Sequence, residues 1–221
     1  MTTLVLLDID GTLLTAFGEG RAAYYETLEE IFPNIEFPML DLAGRTDFGI
    51  WCELTGLAEG EEWERFRSGY AHNMDRRLAA RPPKLLPGVE SLLEALVVDD
   101  RFEPGIVTGN LEHGSRVKIR HAGLEPWLSQ VPGAYGDRVR DKDDLAAQVA
   151  DARRQADAAG FRLVVVGDTV ADLRCARGAG AACLGVLTGG GSASDLAEAE
   201  AVVPDLSDTV AILEILDRIA R

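Results

Sequence analysis

Short apolar runs alternating with helix-length stretches constrain this chain more than any other feature. Leu4 to Leu7 read as a buried strand, and from Gly88 onward a regular alternation follows. It runs as a helix over 88–98, a strand near 105–107, a helix over 112–123, a short strand near 130–134, a helix over 143–159 and a strand over 163–166. A helix over 171–179, a strand over 182–187 and helices near 194–199 and over 209–220 complete it. Strands joined through helices of this length form βαβ units, so the expected fold class is α/β, a doubly wound parallel sheet. Right-handed crossovers then gather the carboxyl ends of the strands along one edge.

The stretch after the first strand breaks this alternation. A helical pattern from Arg21 to Phe32 places Ala22, Tyr25, Leu28 and Phe32 on one side and stops at Pro33. Two more helical patterns, over 47–57 and 61–80, follow without a strand, and Pro82, Pro83 and Pro87 mark a stiff return. The expected organisation is a core of residues 1–15 and 82–221 with an all-helical insert at 16–81. A chain of 221 residues with 47% hydrophobic content can bury one substantial core and a smaller accessory unit.

Composition removes several function classes. A net charge of −15 argues against nucleic acid, whose phosphates need a basic surface. No apolar run approaches the roughly 20 residues of a membrane span, and the first strand begins too near Met1 for a removable leader. The expectation is a cytoplasmic protein with no membrane partner, monomer or homodimer. Cys52, Cys175 and Cys183 lack C-x-x-C spacing and read as buried reduced thiols, and His72, His113 and His121 are too scattered for a metal site.

Asp8 and Asp10 lie two residues apart where the first strand stops, followed by Gly11 and Thr12. Open α/β sheets place their chemistry at such carboxyl ends. Two adjacent anions need a cation or a shared proton, which suggests a divalent metal or one carboxyl held protonated. An isolated D-x-D is equally a solvated turn; two further strand ends change its weight. Thr108, Gly109 and Asn110 follow the strand ending at Val107, and offer a hydroxyl, a backbone amide and a side-chain amide to a tetrahedral anion. In VVVGDTVADLRCA, Asp168 ends another apolar strand after Gly167, and Asp172 lies four residues on, about one helical turn. Paired hard oxygens of this kind suit Mg²⁺, although helix capping would also use such an aspartate.

Together, D-I-D-G-T, T-G-N and G-D-x-x-x-D, in this order and at successive strand ends, resemble the haloacid dehalogenase superfamily of phosphohydrolases, and most of all its phosphoglycolate-phosphatase-like branch with a helical cap after the first motif. The resemblance implies a Rossmann-like core and a phosphatase acting on a small phosphorylated metabolite through an aspartyl phosphate. In that reading Asp8 is the nucleophile and Asp10 the general acid and base. Mg²⁺ is held by Asp8, the Asp10 carbonyl and Asp168, with support from Asp172, while Thr108, Gly109 and Asn110 receive the phosphate. The superfamily also expects a basic residue before the last motif. Lys142 opens the helix after the third strand and is chosen here, with Lys118 and Arg140 as alternatives; no Lys-Pro start marks the helix. Arg45, in G-R-T-D (44–47), could clamp a substrate anion or pair with Asp47 or a neighbouring carboxylate in a structural turn. Gly189 to Gly191 lack a following G-K-[ST] and read as a flexible link. Two other functions stay open: a sugar phosphomutase on the same motifs, and a non-catalytic binding or regulatory protein on this scaffold.

Overall fold

The first apolar run forms β1 (Thr2–Leu7), after which the chain turns through Gly11 into β2 (Leu14–Thr15). Three helices follow, α1 (Glu19–Ile31), α2 (Asp47–Thr55) and α3 (Glu61–Ala80), and β3 (Lys84–Leu85) then closes an antiparallel pair with β2. The rest alternates as the periodicity demands: α4 (Val89–Val98), β4 (Phe102–Thr108), α5 (Glu112–His121), α6 (Glu125–Leu128), β5 (Gly133–Tyr135) and α7 (Leu145–Ala156). Then come β6 (Phe161–Gly167), α8 (Val170–Gly178), β7 (Ala182–Val186), β8 (Ala201–Val203) and α9 (Thr209–Ile219). This architecture is that of a computed structural model, which describes residues 1–156 and 160–220.

Six strands make one parallel sheet in the order β5-β4-β1-β6-β7-β8. The chain fills one side of β1 first and then the other. That reversal makes the β1–β6 boundary the switch point, where open sheets leave a crevice at the carboxyl ends. Asp8 follows β1 and Asp168 follows β6, so the topology brings these two carboxylates to one opening.

The core shows why the strands formed where they did. Val5, Leu7, Val164 and Val166 face one layer of helices, and Leu4, Leu6 and Val165 face the other, all of them buried. Pro104 extends β4 beyond the expected 105–107. Ile106 donates to the Pro132 carbonyl, so Pro104, two residues earlier, directs its missing donor towards the same side, where β5 has not yet begun.

The aromatic side chains of the helical segment continue the hydrophobic cluster of Val5, Leu7 and Val166. Tyr24, Trp51, Trp63, Phe66 and Tyr70 are nearly or fully buried, with ring centroids 4.6 Å apart for Tyr24–Phe66 and 5.2 Å for Trp51–Phe66. Aromatic pairs of this kind contribute about 0.5–1.5 kcal/mol each beyond their burial. The segment also rests on α5: Tyr70 covers Gly114, and Asp75 of α3 takes both Arg120 and His121, each at 2.6 Å.

Three local expectations need correction. Residues 194–199 form turns and a bend, not a helix: Asp195 donates to the Ser192 carbonyl and Ala199 to the Leu196 carbonyl, three-residue bonds that do not continue into a helical ladder. The strand near 130–134 begins only at Gly133, and α7 begins at Leu145. The expected end of that helix, over 157–159, lies outside the described residues. The three cysteines are free and buried as expected. No helix among the described residues is long and apolar enough to cross a membrane.

Candidate active site

The crevice over β1, β4 and β6 opens into a cavity of about 380 Å³, bounded on its other side by β2 and by residues 16–21 and 41–47 of the helical segment. Asp8, Asp10, Thr108, Gly109, Asn110, Arg45, Lys142 and Asp168 all line it. Asp172 lies just beneath, fully buried.

At its floor, one carboxylate oxygen from each of Asp8, Asp168 and Asp172 lies within 4.8 Å of the others. Lys142, itself buried, reaches Asp8 Oδ1 at 2.8 Å and Asp172 Oδ1 at 2.7 Å. Burial raises the pKa of Asp8 to about 7 against the opposing pull of Lys142, with Asp172 and Asp168 adding to the rise. Burial likewise lifts Asp168 to about 6, with Asp172 contributing and the Gly190 amide opposing. For Lys142, burial works against the charged form, but Asp172 and Asp8 outweigh it and hold the ammonium above the usual lysine value. Excess negative charge thus remains after one lysine has been counted, and hard oxygens in that state suit a divalent cation.

Asp172 has less freedom than the other two. Its Oδ2 accepts from the Thr169 backbone at 3.0 Å and the Thr169 hydroxyl at 2.8 Å, so it braces the start of α8 while presenting Oδ1 to Lys142. The capping function that the sequence offered to Asp168 therefore falls to Asp172. Asp168 is instead held by the triple-glycine loop. Gly190 donates to Asp168 Oδ2 at 2.7 Å, and a Cβ on Gly189 would lie only 1.9 Å from that oxygen. The expectation of a simple flexible link is corrected: backbone must approach the carboxylate here, and only glycine leaves the room.

The mouth is built differently. Asn110 donates to Asp10 Oδ2 at 2.7 Å and to Thr108 Oγ1 at 2.8 Å, and Lys118 of α5 reaches both Asp10 Oδ2 and, at 3.0 Å, Asn110 Oδ1. Of the three basic candidates, then, Lys142 meets Asp8, Lys118 meets Asp10, and Arg140 offers its backbone carbonyl to the Thr46 hydroxyl at 2.8 Å. Arg45 lines the cavity with its guanidinium paired to Glu53, not to Asp47.

Asp47 was read only as a possible partner of Arg45, and the structure gives it another place. Its carboxylate accepts from the Leu111 amide at 2.7 Å, and its amide donates to the Gly109 carbonyl at 2.7 Å. Burial raises its pKa to about 7, against that hydrogen bond. A Cβ on Gly109 would lie 2.0 Å from the Arg45 carbonyl, so the T-G-N turn carries glycine where the 44–47 loop packs directly on it. Its only sequence signal was the neighbouring G-R-T-D pattern.

The comparisons with known proteins bear on the fold and the family. No curated protein matches the chain. A hydrolase from Pseudomonas syringae shares the fold at 24% identity and TM-score 0.71, over 100% of both chains. A predicted phosphoglycolate phosphatase from Haemophilus somnus matches at 18% identity and TM-score 0.65, over 96% of this chain and 98% of that one. A β-phosphoglucomutase from Clostridium difficile matches at 16% identity and TM-score 0.67, over 99% and 98%. At these identities the likeness is one of fold. The family model described as haloacid dehalogenase-like hydrolase matches residues 2–180, and the chain belongs to that family.

Proposed function

We propose that this chain is a Mg²⁺-dependent phosphatase that hydrolyses a small phosphorylated metabolite in the cytoplasm through an aspartyl phosphate. The observation that carries the reading is the convergence of Asp8, Asp168 and Asp172 at the sheet edge, in one cavity with Thr108, Asn110 and Asp10. Residues 16–81 act in it as a cap over a core of 1–15 and 82–221.

The donor set fits the metal: two cavity-lining carboxylates, raised by burial, with Asp172 behind them. Asp8, the Asp10 carbonyl and Asp168 would hold Mg²⁺, which when bound supplies positive charge to the phosphoryl oxygens. The chain's own residues do the rest. Lys142 favours the anionic form of Asp8 against its burial and shares the charge of the transferred group. Thr108, the Gly109 amide and Asn110 receive the phosphate oxygens, with Arg45 at the rim for the rest of the substrate. As the Asp8 carboxylate forms its bond to phosphorus, the ester P–O bond breaks and Asp10 gives its proton to the leaving oxygen. Asp10 then takes a proton from water, whose oxygen bonds to phosphorus and releases Asp8. The 44–47 loop, docked on the T-G-N turn, excludes bulk water from this sequence.

A panel of phosphorylated metabolites assayed for phosphate release with Mg²⁺ and with EDTA tests the reading. Metal-dependent release from at least one sugar or small-acid phosphate is expected. Activity that survives EDTA, or no release from any of them, would overturn it. The fold likeness to a β-phosphoglucomutase favours one second reading, a sugar phosphomutase using the same residues. Isomer formation exceeding phosphate release on a sugar phosphate would select it.

A further inference from the structure

Lys118 is among the most buried charged residues of the chain, only 3% exposed, yet it takes no part in the acidic cluster at the cavity floor. Its ammonium is enclosed between the T-G-N turn and the helical segment. A Cβ on Gly20 would lie 3.5 Å from Nζ, and the Met74 methyl closes the same space. An apolar side chain in such a place is often as stable as an ion pair, or more so, so burial alone gives little reason for a charge. What the charge contacts is Asp10 Oδ2, which also accepts from Asn110, while Asn110 Oδ1 returns to Lys118. Both bonds fall on one oxygen of Asp10. Among the described residues, Oδ1 has no hydrogen-bond partner, and the Asp10 side chain is 42% exposed.

We infer that Lys118 is the positioning residue of Asp10, fixing Oδ2 so that Oδ1 is the oxygen that carries the proton to the leaving group. This rests on the phosphatase reading above. An oxygen that already accepts from an ammonium and an amide has its lone pairs engaged, so Oδ1 is the oxygen left free to pass a proton. A general acid must also bring that proton within hydrogen-bond reach of the leaving oxygen. Without the lysine, a carboxyl this exposed rotates among several staggered positions, and most of them miss. In the first half-reaction the O–H bond on Oδ1 breaks as the ester P–O bond breaks and the new alcohol O–H forms. In the second, a water O–H breaks as Oδ1 regains its proton, the water oxygen bonds to phosphorus, and the P–O bond to Asp8 breaks to free inorganic phosphate and the carboxylate.

The leaving group supplies the test. An alkyl phosphate needs the proton, whereas p-nitrophenyl phosphate leaves as a stable phenolate, and kcat/KM reports each ester only up to the first phosphoryl transfer. In Lys118→Met, kcat/KM should fall by about 10²-fold or more for the best alkyl phosphate of the panel, the scale of general acid catalysis, and within about fivefold for p-nitrophenyl phosphate. Lys118→Gln keeps a donor to Oδ2 and should recover part of the alkyl-ester loss; it carries the same comparison if Lys118→Met does not fold. Equal losses on both esters, or none on the alkyl ester, would overturn the inference while leaving the phosphatase intact. A wild-type protein that hydrolyses neither ester would overturn both.

Discussion

At the floor of the cavity Lys142 faces Asp8 and Asp172, all three buried; at its mouth Lys118 faces Asp10, whose side chain is 42% exposed. Both places pair an ammonium with carboxylate, but the surroundings differ. At the floor one lysine serves two buried acids, with Asp168 close by, and burial drives Asp8 up to about 7. At the mouth one lysine serves one acid that still meets solvent. Charge at the floor is therefore coupled to the stability of the fold, and charge at the mouth to the placement of a single side chain.

The largest effect expected on this comparison comes from the proposed nucleophile, Asp8. Asp8→Asn should lose activity on the order of 10⁶-fold, as when a covalent nucleophile is removed elsewhere, while circular dichroism stays native. Near-normal phosphate release would remove Asp8 from its role. Asp10→Asn should lower kcat by about 10²–10⁴-fold, the range of general acid–base catalysis, and shift the urea midpoint less than Lys142→Met does. A collapse of stability in that variant would erase the distinction between mouth and floor. Lys142→Met leaves Asp8 and Asp172 without their shared cation, and breaking such a buried pair should cost about 3–5 kcal/mol in a urea titration. The loss should exceed that of Lys118→Met.

The smallest and most discriminating effect is a pH dependence. Asp8 and Asp47 are raised from 3.8 to about 7, and Asp168 to about 6, so each binds its proton more tightly folded than unfolded. Their contribution to stability is complete below the ordinary carboxylate value and is lost as pH rises through 6 and 7. Melting temperature in EDTA should therefore fall over that window. Mg²⁺ should restore the share of Asp8 and Asp168 at neutral pH, because it stabilises their charged forms. Asp47→Asn should remove its own share whether or not metal is present. A melting temperature that is flat in EDTA would mean that the floor carries no excess charge.

Much of this was legible in the chain because it is local. Asp8 and Asp168 stand where apolar runs stop, and an apolar run ending in Gly or Asp is visible without coordinates. Lys118 and Asp10 are 108 residues apart, and no periodicity joins them. The same holds for the start of α5, where Leu111 and Glu112 donate to the distant carboxylates of Asp47 and Asp137. Two-residue strands such as β2 and β3 have too little pattern to register, and Pro104 masks the beginning of β4 because its tolerance depends on where a neighbouring strand starts. The turns at 194–199 carry helix-forming alanine and glutamate behind a Ser192–Asp195 start, so their failure to continue as a helix is not visible in composition.

The enclosure of both lysines has a consequence for how a substrate arrives. The protein as a whole carries −15, so an approaching phosphate dianion is repelled until it is within roughly a Debye length, about 8 Å at physiological ionic strength, of the cations inside. Attraction begins only after entry. Added salt, which slows capture in enzymes that steer their ligands from afar, should here quicken it by masking the outer repulsion before weakening the inner pull.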